Sequence, residues 1–173
     1  DLKVPEGQFL TVIGSNGAGK STSLNVMAGL APVSKGKVIV AGDDVTDWPV
    51  HKRSKFLSRV FQDPKMGTCE DLSILENFAL AYGRTAHRGF ASGVTKEIRD
   101  YAASRLEVLG LGLENRLNDK VGLLSGGQRQ AVSLLMATTG DTKVLLLDEH
   151  TAALDPKTAD SILQLSKSIV AEM

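Results

Sequence analysis

The sequence predicts an α/β domain, and three observations support this class. Val144–Leu147 is continuously apolar, which is typical of a strand in a parallel sheet that helices cover on both faces. Gln8–Ile13 is a short β-prone run that leads through a glycine-rich turn into a helical pattern from Lys20 to about Ala28, as in one half of a βαβ unit. Helical patterns also fill most of the segment between about residues 64 and 123. Together these features predict an α/β core that carries a helical insertion.

The other predicted elements complete this outline. Lys37–Val40 and the turn after it predict short antiparallel β elements, and Phe56–Phe61 predicts a strand that ends before Pro64. Ser73 and Glu76 have the spacing of a capping box at the start of a helix. Further elements are predicted as helices from about Thr95, from Gly127 to about Thr139 and from Pro156, and as an exposed loop over Thr85–Gly93.

Length and composition indicate a single globular domain. The 173 residues are expected to form one domain over 1–173, with a helical subdomain at about 64–123. The 20 basic and 20 acidic residues cancel, so no nucleic-acid partner is expected. Cys69 is the only cysteine, which excludes an intrachain disulfide, and no apolar run approaches the ~18 residues that span a bilayer. Because the sequence begins with strand-like residues and stops within a helical pattern, we expect a domain truncated at both ends.

Residues 14–21, GSNGAGKS, match the phosphate-loop pattern G-x-x-x-x-G-K-[ST] in full. Glycines let backbone N–H groups converge on phosphate oxygens, and the following helix directs its positive end at them. In this pattern Lys20 neutralises the β- and γ-phosphates, and Ser21 holds Mg²⁺. The loop by itself leaves kinases, GTPases and ATPases open.

An acidic pair stands at the end of the apolar strand. Asp148 and Glu149 follow Val144–Leu147 directly, at the edge where open α/β sheets bind ligands. Asp148 is suited to the Mg²⁺ shell opposite Ser21, and Glu149 is suited to orient or deprotonate the water that attacks a γ-phosphate. No motif for a phospho-acceptor pocket is present, so a nucleotide hydrolase is favoured over a kinase.

Five motifs together carry a family resemblance. They are GSNGAGKS (14–21), Gln62 after a strand, LSGGQ (124–128), VLLLDE (144–149) and AALD (152–155). In order and approximate spacing they resemble the nucleotide-binding domain of ATP-binding cassette (ABC) proteins, and LSGGQ is the most specific of them. The resemblance covers essentially the whole chain. It implies a P-loop NTPase fold of the ABC ATPase type, with antiparallel β elements and a helical insertion, that binds ATP and Mg²⁺ and hydrolyses ATP.

The resemblance also implies a head-to-tail pair of domains, most simply a homodimer. In such a pair, the LSGGQ signature of one copy covers the nucleotide on the phosphate loop of the other. Ser125 would donate its hydroxyl to the γ-phosphate, while Gly126 and Gly127 keep the backbone free of side chains. Gln128 is expected near the shared nucleotide.

By the same resemblance, further residues contact nucleotide, metal or partner. Gln62 would approach Mg²⁺ and the attacking water and report the nucleotide state, and Thr22 would reach the α-phosphate. Asp155 would lie at the dimer interface, cap the last helix, or do both. The phosphate cradle would comprise Gly14, Ser15, Asn16, Gly17, Ala18 and Gly19.

Two parts of the family pattern are missing. The adenine-stacking aromatic residue would lie before Asp1, and the switch histidine would lie after Met173. His51 and His87 fall in the wrong regions to replace it, and His150 stands where family members usually carry proline. We expect His150 to be a turn residue without direct chemistry, and the 173-residue chain alone to bind ATP weakly and hydrolyse it poorly.

Within this family, the sequence favours the ATPase subunit of a bacterial membrane importer. About 100 residues separate Lys20 from Leu124, which leaves no room for the coiled coils of chromosome-maintenance relatives. The insertion around Asp71 to Leu109 would dock a transmembrane permease subunit at the cytoplasmic face of the membrane, with a substrate-binding protein as a further partner. DEHTAALDPKTA and LLSGGQRQAVSLLMAT are similar to an amino-acid, tryptophan/tyrosine-type import subgroup.

Two alternatives remain open from the sequence. One is a soluble ABC ATPase that acts on the ribosome or on nucleic acid. Such a protein would need a basic surface to bind nucleic acid. HKRSK (51–55) is the only basic run in the sequence, and we interpret it as a solvated helix face. The other is an ATP-sensing module without turnover, against which the intact Glu149 argues.

Overall fold

The structure is a computed structural model that describes residues 2–84 and 93–172. Apart from Gly93, the loop predicted over Thr85–Gly93 lies outside this range, and so does His87. The helices are α1 (Lys20–Ala28), α2 (Val50–Arg53), α3 (Ile74–Tyr82), α4 (Lys96–Glu107), α5 (Gly126–Ala137) and α6 (Pro156–Glu172). The strands are β1 (Ile39–Val40), β2 (Asp43–Asp44), β3 (Leu57–Val60) and β4 (Val144–Leu147).

The strands form one parallel and one antiparallel pair. β3 and β4 run parallel, with Leu57 opposite Val144 and Val60 opposite Leu147. β1 and β2 form the antiparallel hairpin that the sequence predicted. Two parallel strands need a long crossover connection, and here the chain between β3 and β4 that makes the connection contains the whole helical insertion. The predicted α/β class, with its antiparallel elements, is confirmed.

The strand predicted over Gln8–Ile13 is not formed. This segment has no regular structure, and Ile13 is 90% exposed. Gln8 bonds instead to the carbonyl of Pro5, at 3.3 Å, and no backbone bond between this segment and β3 or β4 occurs in the described residues. A strand needs a neighbour for its N–H and C=O groups, so a β-prone run without a pairing partner stays irregular. As a consequence β4 is only half-covered: Leu146 alone among its residues is buried, against the prediction of burial on both faces.

Helix starts agree closely with the sequence. At α3 the backbone N–H of Glu76 donates to Ser73 Oγ at 3.2 Å, and the N–H of Ser73 donates to Glu76 Oε2 at 2.7 Å. This capping box directs Ile74 and Phe78 into the core, where both are fully buried. No helix in the described part of the chain is long and apolar enough to cross a membrane.

The apolar core lies in two clusters. The larger cluster joins α3, α4, α5 and α6, and the smaller one joins α1, the hairpin, β3 and β4. Arg84 connects the helical insertion to the end of α5, because its guanidinium donates to the carbonyls of Met136, Ala137 and Thr139. Arginine near a helix C-terminus satisfies carbonyls that have no intrahelical partner.

The basic run 51–55 was predicted to be a solvated helix face, and this prediction holds for only part of the run. α2 does form there, and His51 and Lys52 are exposed, but Arg53 is buried at 4% exposure. Its guanidinium donates to four backbone carbonyls, those of Val26, Met27, Thr46 and Trp48. The reason is that the C-terminal carbonyls of α1 need donors, and a long arginine from α2 reaches them.

Candidate functional site

The phosphate loop connects the irregular segment before residue 14 to α1. Gly17 and Gly19 have φ values of +83° and +89°, a left-handed conformation that side chains disfavour. α1 begins at Lys20 without a side-chain cap, so its first N–H groups have no side chain to satisfy them. Lys20 folds back over the loop, where Nζ donates to the carbonyls of Gly14 at 2.8 Å and Ser15 at 3.1 Å. The loop therefore combines backbone N–H donors that no side chain caps with the positive charge of Lys20, which is held against the loop carbonyls.

Glu149 faces this loop across an open cleft of about 340 Å³. Glu149 and Lys20 thus line one cleft, although 129 positions separate them in the sequence (149 − 20). The lining residues are Asn16, Gly17, Gly19, Lys20, Ser21, Thr22 and Glu149. A phosphate-sized anion site and an acidic group beside it are what nucleotide hydrolysis requires.

The backbone of Glu149 is strained. Its φ is +45°, in the left-handed region, which costs a residue with a Cβ roughly 1–3 kcal/mol. Strain of this kind persists where surrounding contacts hold it, and it is concentrated at functional sites. The position of the outlier, directly after β4 and on the cleft, supports a functional role for Glu149.

Asp148 is held by an arginine that the sequence analysis missed. Its Oδ2 accepts from Arg59 of β3 at 2.5 Å, and the same guanidinium donates to Asn25 of α1 at 2.6 Å. Arg59 also stacks on the ring of Phe61, at 4.9 Å. This bridge fixes Asp148 relative to the helix that follows the phosphate loop. A lone charged residue within the strand was the available signal.

The signature segment caps its own helix. The N–H of Gln128 donates to Ser125 Oγ at 3.3 Å, and Gln128 Oε1 accepts from the N–H of Ser125 at 3.1 Å. The Ser125 oxygen is thereby an acceptor, and its hydrogen has no acceptor among the described residues. None of the residues 125–128 lines the cleft around Lys20. Ser125, Gly126, Gly127 and Gln128 are thus not brought to the phosphate loop of their own chain.

Gly127 has a packing role that the sequence did not reveal. A Cβ at this position would lie 2.3 Å from Cγ2 of Thr158 on α6, whereas one at Gly126 would be 4.0 Å from Leu154. Real Cβ atoms do not approach other carbons this closely. Gly127 therefore allows α5 and α6 to approach each other, while a Cβ at Gly126 would make only an ordinary van der Waals contact with Leu154.

This difference gives a stability prediction with a built-in control. Gly127→Ala should lower the free energy of unfolding by about 1–2 kcal/mol through overpacking against Thr158. Gly126→Ala should change it by less than about 0.5 kcal/mol. Thr158→Ser removes Cγ2, so it should restore stability in the Gly127→Ala background. Urea unfolding of these three variants and the wild type measures this, and equal effects of the two glycine substitutions would contradict it.

The other predicted site residues lie at the ends of elements. Gln62 is exposed two positions after the end of β3, and it does not line the cleft that Lys20 and Glu149 share. Asp155 caps α6, since its Oδ1 accepts from the N–H of Thr158 at 3.1 Å, and hydrogen bonds from Thr158 lower the pKa of the Asp155 carboxyl. His150 lies in a turn, as predicted, but it is buried rather than exposed, and burial lowers the pKa of its imidazole.

Comparisons with known proteins agree with these motifs and this geometry. Residues 1–152 match the family model described as ABC transporter. The chain is 42% identical over 174 aligned residues to a tyrosine transport ATP-binding protein of Clostridioides difficile, and the match covers 99% of this chain and 68% of that protein. It is 37% identical to a methionine import ATP-binding protein of Geobacillus kaustophilus, where it covers 95% of this chain and 46% of the relative.

Solved structures give the same result. The dimeric post-hydrolysis state of the ATP-binding cassette MJ0796, bound to ADP and phosphate, superposes with a TM-score of 0.80 at 33% identity, over 99% of this chain and 73% of that one. Another dimeric structure of MJ0796, described as a bacterial ABC transporter cassette, gives a TM-score of 0.79. The predicted ABC-type ATPase fold is confirmed. The chain belongs to the ABC transporter family, as an ATP-binding domain of the ATPase type.

Proposed function

We propose that this chain is the ATP-hydrolysing domain of an amino-acid importer, and that residues 14–22 and Glu149 form its nucleotide site. The observation that carries this proposal is the shared cleft, which Lys20 and Glu149 both line together with the start of α1, a helix without a side-chain cap. Backbone donors from Gly14 to Gly19 surround the phosphates. Lys20 neutralises the β- and γ-phosphates, and Thr22 contacts the α-phosphate.

Mg²⁺ fits the donor set at this site. Ser21, Asp148 and Gln62 offer hydroxyl, carboxylate and amide oxygens, which are the ligands that Mg²⁺ prefers. Among the described residues no cluster of three His, Cys, Asp or Glu side chains could hold a metal. Mg²⁺ in phosphate-transfer sites is usually bound by one or two carboxylates together with substrate phosphates and waters. Asp148 keeps one oxygen available, since only Oδ2 is paired with Arg59.

Hydrolysis requires a base and a second set of donors. Glu149 accepts a proton from the attacking water, whose oxygen then forms the new bond to the γ-phosphorus as the bond to the ADP oxygen breaks. The Ser125 hydroxyl of a second copy donates to the γ-phosphate, while its oxygen continues to accept the cap bond from Gln128. Gly126 and Gln128 of that copy lie near the same nucleotide. The site is therefore completed by a homodimer.

A second groove suits a permease subunit. It lies between the helical insertion and the core and has a volume of about 290 Å³. Met66 is 69% and Leu80 is 56% exposed on its walls, and Arg84 forms part of the lining. We infer that a permease subunit covers these two exposed apolar side chains. We place the domain at the cytoplasmic face of the membrane, where a substrate-binding protein delivers an aromatic amino acid to the permease.

Co-purification from the source organism tests this function. The full-length protein, tagged and extracted from membranes in mild detergent, should bring a multi-span membrane protein in comparable amount. Deletion of the gene should reduce tyrosine or tryptophan uptake, and leave sugar uptake unchanged as the control. Recovery only from the soluble fraction or with ribosomes would contradict the importer proposal, but it would leave the ATP chemistry intact.

A further inference from the structure

Glu149 keeps a left-handed backbone that needs support from both sides. On its N-terminal side, the N–H of Asp148 donates to the carbonyl of Val60 at 3.1 Å, which continues the β3–β4 pairing. On its C-terminal side, the carbonyl of Glu149 accepts from the N–H of Ala152 at 2.9 Å. That short turn has no strand to hold it. His150 is the second residue of this turn.

His150 connects this turn to the middle of α6. Its Nε2 lies 3.0 Å from Ser166 Oγ, and both residues are buried, at 7% and 0% exposure. Ser166 Oγ donates its single hydrogen to the carbonyl of Ile162, at 2.8 Å. With that hydrogen on the Ile162 carbonyl, the Ser166 oxygen is left to accept from His150. This pairing assigns the imidazole proton to Nε2 and makes the histidine the donor.

α6 gives His150 a firm attachment. Ile162 and Ile169 are buried in the larger apolar cluster, and α6 packs on α5 at the Gly127–Thr158 contact. A buried hydrogen bond from His150 to such a helix restricts the neighbouring Glu149 more than a turn without that bond would. A proline, which is usual at this position in the family, could make no such side-chain bond.

We propose that His150 is a positioning residue that holds Glu149 toward the phosphate loop by donating a hydrogen bond from Nε2 to Ser166. The proposal rests on the proposed role of Glu149 as the group that accepts the proton of water. It assigns no contact with nucleotide to His150 itself. Loss of the bond releases the turn, and a small displacement of the base from its water reduces the rate of the chemical step.

Variants at position 150 test this in the full-length protein. His150→Ala should reduce kcat for ATP hydrolysis about 10- to 100-fold and leave KM for ATP within about twofold. Glutamine can place an amide N–H near the position of Nε2, so His150→Gln should recover kcat to within about threefold of wild type. The shorter His150→Asn should not recover it. Ser166→Ala should reproduce the kcat loss, and the double variant His150→Ala/Ser166→Ala should lose no more than either single one.

A second buried hydroxyl bond provides the matched control. Ser58 Oγ and Thr142 Oγ1 are 3.0 Å apart in the core, at the other end of β4 from Glu149. Thr142→Val removes that bond and should lower thermal stability while kcat changes less than twofold. If His150→Ala retains the kcat of Thr142→Val, or if Asn rescues as well as Gln, the positioning role is wrong.

The test separates this inference from the function on which it depends. Glu149→Gln is measured in the same series. If that variant turns over ATP as fast as wild type, the role of Glu149 fails. If it abolishes turnover while His150→Ala does not reduce kcat, only the role of His150 fails.

Discussion

Glu149→Gln is expected to reduce kcat for ATP hydrolysis by about 10²–10⁴-fold, the range that a positioned general base contributes. The amide keeps the shape of the side chain but cannot accept a proton from water at neutral pH. ATP affinity should be retained or increased, because a negative charge beside the phosphates is removed. ATP should therefore accumulate unhydrolysed in the closed dimer.

Turnover assays and size-exclusion chromatography of the full-length protein measure the two effects. In the presence of ATP and Mg²⁺ the variant should elute as a dimer. Without nucleotide it should elute at the same position as the wild type. Glu107→Gln, at an exposed position at the end of α4, is the charge-matched control and should behave as wild type. Undiminished turnover in Glu149→Gln would refute the assigned role.

Arg53→Met is expected to lower the free energy of unfolding by about 2–4 kcal/mol. The substitution keeps most of the apolar length of the side chain but leaves four carbonyls without their donor, and two of these belong to the last turn of α1. Buried polar groups that lose a charged partner cost more than the bond contributed net. For a domain of this size the loss corresponds to a decrease in Tm of roughly 5–15 °C.

The neighbouring lysine is the control for this prediction. Lys52 is exposed on the same short helix and stacks over Trp48, with Nζ 3.8 Å from the ring centroid. Lys52→Met should cost at most about 1 kcal/mol. Calorimetry or urea unfolding measures both variants. A destabilisation by Arg53→Met no larger than that by Lys52→Met would show that the guanidinium does not hold α1 to the hairpin.

The motifs in the sequence were sufficient for the family and for much of the site. GSNGAGKS predicted a glycine loop with Lys20 at the start of a helix, and the positive φ angles of Gly17 and Gly19 follow directly from residues without a Cβ. Capping residues are local, so Ser73 and Thr95 marked the starts of α3 and α4. The roles of Gln62, Ser125 and Gln128 at a nucleotide remain predictions.

Other features depended on partners that are distant in the chain. Whether Gln8–Ile13 becomes a strand depends on an available edge for hydrogen bonding, which residue preferences cannot specify. Arg53 and Arg59 look like ordinary charged residues in a helix and a strand. Only the packed structure places one against the carbonyls of α1 and the other between Asn25 and Asp148.

The sequence by itself determined the family of this protein and predicted its loop, metal and base residues, because these are recognisable by type and spacing within short segments. The tertiary structure decided how that chemistry is held in place. It fixed the left-handed backbone of Glu149, the buried contact between Nε2 of His150 and Ser166, and the close approach of α5 to α6 at Gly127. Each of these results from a contact between residues at least 16 positions apart or from strain that such contacts maintain, and a linear pattern contains neither.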